Sequence, residues 1–345
     1  MTDFEATNLF AQQEANRRKS RWLVAGFVVF FLWLGLGGDW IAYEYTKGLP
    51  PEQYRHGFPV LGAIMVLIAG GLVVNIRRSG ASKVLWSTGA QRLDEPATQD
   101  ERTISNVVDE MAIAAGIPRP TVWVIDDDDP NAFATGMKLD ASHVAVTRGL
   151  MTTLNRDELQ AVVGHEMGHI KNLDVQLMTL VAGLGGAIAL IADGIGRMLW
   201  HGSHSRRHGG GFSGGGGGGG RKKNDLGPLI VVLIVVWILS WLLAPLVTRL
   251  LAMSISRKRE YLADAMSAQF TRNPLALASA LEKIEQAAAP TKSIKHGVAH
   301  LCIADPLGWR SSRREGRVSD LLATHPPMAS RIARLRQMGF EPASV

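Results

Sequence analysis

His165-Glu166-Met167-Gly168-His169 decides the reading of this chain. In an α-helix, positions i and i+4 share one face, so His165 and His169 can grip a single metal ion. Glu166 sits ~100° further round the same helix. From there it can reach a water activated by the metal without being a ligand itself. This is the layout of metal-assisted peptide hydrolysis, in which zinc lowers the pKa of water toward ~7 and a carboxylate takes the proton. The flanking residues put the motif on a helix, as that chemistry requires. Asn155 followed by Glu158 reads as an N-cap with its capping partner. Leu159, Val162, Val163 and Met167 recur at helical spacing.

Outside the motif, composition points to a membrane. Of the 345 residues, 46% are hydrophobic and 20% charged, but the apolar ones are concentrated. Trp22–Ile41, Phe58–Ile76, Val175–Trp200 and Leu226–Ile255 are nearly free of charge. Each is long enough to cross a bilayer, which takes a helix of ~20 residues. The expected class is therefore a multi-pass α-helical membrane protein carrying an α+β catalytic domain. The net charge of +6 fits lipid better than nucleic acid. Its basic residues flank the spans: Arg17, Arg18, Lys19 and Arg21, then Arg77 and Arg78, then Arg257, Lys258 and Arg259. Such clusters mark cytoplasmic flanks and anionic lipid contact. No aromatic–basic stacking pattern supports a nucleic-acid partner. The single cysteine, Cys302, excludes an intrachain disulfide and a cysteine-based zinc site. The first span is too long for a signal-peptide core and has no small-x-small site after it, so it reads as an uncleaved anchor.

The chain divides accordingly. Residues 1–21 form a basic arm, 22–76 two spans with a short loop, and 77–174 a first soluble segment with the His-Glu motif. Residues 175–255 form a hairpin of two spans around a glycine-rich loop at 201–225, and 256–345 a second soluble segment. The positive-inside rule puts the soluble segments in the cytoplasm. The loop's Arg206, Arg207, Arg221, Lys222 and Lys223 conflict with that if both later spans cross. A re-entrant hairpin, the opposite orientation or an exception to the rule would each resolve it. His201, His204 and His208 lie there too; weak metal binding is the less economical reading of a polar, glycine-rich loop.

In the soluble segments, helices are expected at Asp100–Ala115, closed by Gly116, and at Arg257–Phe270, Pro274–Ala288 and Met328–Met338. Strands are expected at Thr121–Ile125, Asn131–Gly136 and His143–Thr147. Asp126–Asp129 before Pro130 reads as a solvated turn rather than a calcium loop. Asp39 and Asp193 fall near the ends of spans, where a functional or an interfacial role is open.

A catalytic zinc needs a third protein ligand. Glu260 and Asp264 stand i, i+4 in Glu260-Tyr-Leu-Ala-Asp264, so both can face the first helix. Glu260 would complete a two-His, one-Glu set, and Asp264 could orient an imidazole. The competing reading pairs Glu260 with Arg257 or Lys258 on a wet helix surface. Two candidate spans separate His169 from Glu260, and two crossings return the chain to the side it left.

Four motifs in order carry a resemblance: Asn131-Ala-Phe-Ala-Thr-Gly136, Gly164-His-Glu-Met-Gly-His169, Ser256-Arg-Lys-Arg-Glu-Tyr-Leu-Ala-Asp-Ala265 and Thr324-His-Pro-Pro327. Over residues 70–340 the chain resembles the HtpX-type membrane zinc metalloproteases, relatives of the Ste24 CAAX prenyl proteases. The resemblance implies a gluzincin-like zincin domain in the bacterial inner membrane, its catalytic part cytoplasmic. It implies one Zn2+, held by His165, His169 and Glu260, with Glu166 as base and Asp264 behind a ligand. Asn131, Ala132, Phe133 and Ala134 would form the strand that pairs with an extended substrate. His325 would steady the oxyanion or take the fourth zinc position, and Arg331 would anchor its segment through a carboxylate. The implied substrates are misfolded or damaged membrane proteins under envelope stress. A CAAX-type prenyl protease is the nearest alternative, disfavoured by a count of four spans. A catalytically silent membrane scaffold is the other, disfavoured by the intact ligand set. Oligomeric state is not legible.

Overall fold

Thr98 and Asn155 each begin a helix by the same device. The Thr98 hydroxyl accepts from the Glu101 amide, while the Glu101 carboxylate reaches back to the Thr98 backbone. Asn155 and Glu158 repeat the reciprocal pair. Two orphan donors are satisfied at each start. The resulting helices are α3 (Gln99–Ala115) and α5 (Arg156–Lys171), the second of which carries the His-Glu motif. Gly116, at φ 64°, ends α3 in the left-handed cap that glycine adopts without strain.

The computed structural model describes residues 9–46, 50, 58–204, 235, 237–240, 257–287, 293, 301–304 and 326–339. Among these, two long helices come first, α1 (Leu9–Thr46) and α2 (Val60–Ser87). The strands are β1 (Gln91–Arg92), β2 (Thr121–Ile125), β3 (Ala132–Lys138) and β4 (Ala141–Thr147). After α4 (Arg148–Thr153) and α5 come α6 (Asp174–His204), α7 (Arg257–Thr271), α8 (Pro274–Ala287) and α9 (Met328–Gly339). The sheet order is β1-β2-β4-β3, with β2 and β4 parallel and the outer pairs antiparallel. This leaves β3 at an edge.

The chain forms two compact units, one of Met1–Ala25, Val73–Leu184 and Arg249–Val345, the other of Gly26–Leu72 and Gly185–Thr248. In the first, α3, α5 and α8 close over one face of the sheet. Ile104, Val107, Val144, Val146, Val162, Met167, Leu277 and Leu281 make its core. Burial of that face supplies the main driving force for the unit.

In the second unit, α1 and α2 lie in close contact. A Cβ on Gly35 would come within 2.7 Å of the Leu61 carbonyl oxygen, so no larger residue fits. Asp39 accepts hydrogen bonds from the amides of Leu61 (3.0 Å) and Gly62 (2.7 Å), in the first turn of α2. A carboxylate there satisfies orphan donors and complements the helix dipole. Asp39 is thus a helix cap. Val29, Trp33, Ile64 and Leu67 expose large apolar side chains.

Ala11–Glu44 and Val60–Ser87 are each long and apolar enough to cross a membrane. The expected boundary between arm and first span is absent: α1 runs from Leu9 without a break, since no proline or glycine interrupts residues 9–25. Likewise α2 continues past Ile76 to Ser87. The third expected span is helical within α6, and α5 with α6 meets the same test only as a pair bent by 80°. Most of the fourth span, the glycine-rich loop and His325 lie outside the described residues, as do the side chains of Asp193, His201 and His204.

Candidate metal centre

Small residues on α5 decide where α7 lies. A Cβ on Gly168 would meet the Ala263 Cα at 3.3 Å, and one on Gly164 would meet the Ser267 Oγ at 3.2 Å. The Ser267 hydroxyl donates to the Ala161 carbonyl at 2.5 Å. This close approach carries Glu260, on the first turn of α7, to the two histidines. Glu260 is 3% exposed, which excludes its pairing on a wet helix surface. At the other end of α5, the Glu158 carboxylate accepts from Ser279 and Lys283 of α8, both at 2.7 Å.

The Nε2 atoms of His165 and His169 lie 3.2 Å apart. Glu260 Oε2 is 3.7 Å from His165 Nε2, and Glu260 Oε1 is 3.5 Å from His169 Nε2. Two ligand atoms on a tetrahedral zinc are ~3.3 Å apart. The three donors converge at that spacing. The outward nitrogens are fixed by carboxylates: His165 Nδ1 donates to Asp264 at 2.9 Å and His169 Nδ1 to Asp174 at 3.1 Å. With Nδ1 donating, each Nε2 presents its lone pair inward, as metal ligation demands. Glu166 is 1% exposed, and its Oε1 has no hydrogen-bond partner among the described residues. A buried carboxylate oxygen beside two imidazoles fits a polar group absent from the protein chain, such as the water a metal would carry.

Electrostatics agree with a cation site. Burial pushes the Glu166 carboxyl up to about 7, helped by the nearby Glu260. Burial opposes a charge on His169, but the Asp174 hydrogen bond and Glu260 outweigh it and raise the imidazole to about 9. Burial holds His165 below its ordinary value, despite Asp264. A divalent ion between the Nε2 atoms would take the place of the His169 proton and lower Glu166. The residues present therefore fit zinc.

Residues 98–339 match the profile described as Peptidase family M48. The chain belongs to peptidase family M48. It is 34% identical to a Protease HtpX homolog of Streptococcus gordonii over 331 residues, covering 96% of this chain and 100% of that one. It is 41% identical to one from Thermoanaerobacter pseudethanolicus over 245 residues, 70% of this chain and 74% of the relative. The crystal structure of S. mikatae Ste24p overlaps at TM-score 0.45 and 17% identity, over 94% of this chain and 66% of that one. M48 membership and the HtpX relatives make this a membrane-associated metallopeptidase.

Within this M48 site, His165, Glu166, His169, Glu260 and Asp264 are brought together. Arg331, fully buried, joins them: it holds Asp264 through Nε and Nη2 and donates from Nη1 to the Ile303 carbonyl at 3.0 Å. Asn131–Ala134 lie at the sheet edge as expected, but the edge is not bare. Ile303 donates to the Ala132 carbonyl at 3.0 Å, and Asn131 Nδ2 donates to the Ala304 carbonyl at 3.2 Å. Further along, the Gly136 amide donates to Thr179 Oγ1 at 3.2 Å. Between them the Ala134 amide is directed at Glu166.

Asp174 is the residue that sequence reading missed. It follows Leu173, whose φ of 59° is a left-handed conformation that costs a bulky residue ~1–2 kcal/mol. That turn bends the chain by 80° at the end of α5 and brings the Asp174 carboxylate onto His169. The signal was an acid five residues past the second histidine, which helical spacing alone does not bring near it.

Proposed function

We propose that the protein is a membrane-embedded zinc endopeptidase of gluzincin-like zincin fold. The observation that carries this is the convergence of the His165, His169 and Glu260 donors beside the buried, unpartnered Oε1 of Glu166. Zinc, when bound, supplies a Lewis acid for a peptide carbonyl and acidifies water. Glu166 takes the water's proton on Oε1 and delivers it to the leaving amine. Asp264 and Asp174 hold the imidazoles in the ligating tautomer. His325 contributes a hydrogen bond to the oxyanion. An extended substrate adds as a strand to β3, pairing at Ala134 and displacing Ile303 at Ala132. The substrates are misfolded or damaged membrane proteins, met at the bacterial inner membrane with the catalytic part on the cytoplasmic side. This substrate class and placement rest on the HtpX likeness and the basic flanks of the spans.

The test uses detergent-solubilised protein and its Glu166→Gln variant, with zinc content and casein cleavage as readouts. About one zinc per chain in both, with cleavage only by the wild type, is expected. Absence of stoichiometric zinc in both would overturn the ligand set. Zinc without cleavage in either would overturn the broad peptidase reading.

A further inference from the structure

Residues 9–21 form the first turns of α1, before its apolar stretch. Four cations crowd Arg17–Arg21, yet the face that turns inward is neutral: Asn16 is 2% exposed and Ser20 5%. Gln13, Asn16 and Ser20 share a helical face by their spacing. Gln13 Nε2 donates to the Lys171 carbonyl at 2.7 Å. Asn16 Nδ2 donates to the Asn172 carbonyl at 2.9 Å. These carbonyls belong to the C-terminal end of α5, where a helix has no acceptors' partners of its own. The arm therefore caps the helix that carries both histidines.

Asn16 does more than cap. The same Nδ2 donates to Asp174 Oδ1 at 2.8 Å. The other carboxylate oxygen, Oδ2, accepts from His169 Nδ1. Arg259 Nη1, on α7, also reaches Oδ1, at 3.3 Å. Asp174 is 1% exposed, so its orientation is set by these donors rather than by water. Asn16 makes the shorter contact to Oδ1, at 2.8 Å against 3.3 Å, while Lys19 on the same arm adds a through-space attraction to Asp174.

We propose that Asn16 is a positioning residue of the metal centre: its contact with Asp174, acting on His169, helps set how firmly the site holds its metal. The inference rests on the reading of His165, His169 and Glu260 as metal ligands. Partners one bond behind a metal ligand are worth ~10–100-fold in metal affinity. Asn16 stands one bond further back, so an effect of about tenfold, the lower end of that range, is expected. Gln13 docks the same arm without touching Asp174, which makes it the control.

The experiment measures zinc affinity of the full-length detergent-solubilised protein by competition with a chromophoric chelator. The variants are Asn16→Ala, Gln13→Ala, Asp174→Asn and the double variant Asn16→Ala/Asp174→Asn. Asn16→Ala is expected to weaken zinc about tenfold, Gln13→Ala to leave it unchanged, and the double variant to match Asp174→Asn alone. Asn16→Ser, which keeps a short donor, recovers part of the loss and serves if the alanine variant fails to fold. Wild-type affinity in Asn16→Ala, an equal loss in Gln13→Ala, or additive losses in the double variant would overturn the proposal. A wild-type protein without stoichiometric zinc would overturn the ligand reading and the proposal with it; zinc bound normally with only the Asn16 result failing would overturn the proposal alone.

Discussion

Arg331 and Asp264 meet through two hydrogen bonds, Nε to Oδ2 at 3.0 Å and Nη2 to Oδ1 at 2.7 Å, in a place where neither is wetted. Asp264 in turn accepts from His165, and Arg331 Nη1 itself lies 3.6 Å from Glu260 Oε2, so the arginine meets the cluster both directly and through Asp264. Burial disfavours the Asp264 charge, but Arg331 holds its carboxyl below the ordinary range. Removing one partner of such a pair leaves a buried charge alone, at a cost of ~3–5 kcal/mol. Arg331→Ala is expected to lower stability by about that amount and to loosen zinc. Arg331→Lys should rescue little, because one ammonium cannot reproduce a planar fork. Chemical denaturation in the presence and absence of chelator checks both; a lysine variant as stable as wild type would contradict the bidentate assignment.

Stability of the chelator-treated protein should fall as pH rises from 7 to 9. His169 in the folded chain titrates at about 9, above its ordinary 6.5, so the folded state binds the extra proton. A raised folded pKa gives stability that is complete below the unfolded value and lost as pH climbs through the folded one. Glu166, raised to about 7, contributes a fall that ends near neutrality. His165, held low, contributes a rise confined to pH below its ordinary 6.5. The window above pH 7 thus belongs to His169. With zinc bound the slope reverses, since the metal competes with that proton and binds tighter as pH rises. Thermal melts across pH, with and without chelator, measure both slopes; parallel slopes would refute the account.

How much of this was legible in the sequence depended on whether local chemistry or a bend between elements decided the outcome. The capping pair Asn155/Glu158 set the start of α5, and Gly116 the end of α3, because both act over a few residues. Thr121–Ile125 matched β2, and β4 began two residues before the expected His143. The Glu260 and Asp264 pair was visible because i, i+4 spacing survives folding. Three features were hidden. Asp174 needed a left-handed leucine to turn it. Residues 301–304 are too short to carry a strand pattern, yet Cys302 pairs with Phe133. The inward role of Asn16 was masked by the four cations around it, which read as a lipid-facing flank.

Gly168→Val is expected to weaken zinc binding although Gly168 touches no ligand. The added atoms would press on the Ala263 backbone, which lies 3.3 Å from an ideal Cβ, and push α7 outward. Overpacking of this kind costs ~1–3 kcal/mol. Glu260 rides on the same turns of α7, so its carboxylate moves away from the Nε2 pair. Gly89→Ala, at an exposed turn, is strained for a different reason, its φ of 69°, and should cost stability without changing zinc affinity. Zinc affinity paired with the unfolding midpoint separates the two; equal zinc loss in both variants would break the link between helix approach and ligand geometry.

The amide of Ile303 should be protected from hydrogen exchange in the free protein and lose that protection when an extended ligand occupies the edge of β3. It donates to the Ala132 carbonyl at 3.0 Å, the group a substrate strand would use. The segment is also tied down by Arg331, through the Ile303 carbonyl, and by Asn131, through Ala304. A peptide hydroxamate that anchors on zinc and extends along Ala134 must compete with these bonds. Exchange measured by mass spectrometry on a fragment spanning residues 301–304, in the Glu166→Gln variant with and without saturating hydroxamate, reads the competition. Faster exchange with ligand bound is the expected result. Unchanged protection at full occupancy would mean that substrate reaches the metal without pairing at Ala132, and that Leu301–Ala304 is a fixed strand of the sheet.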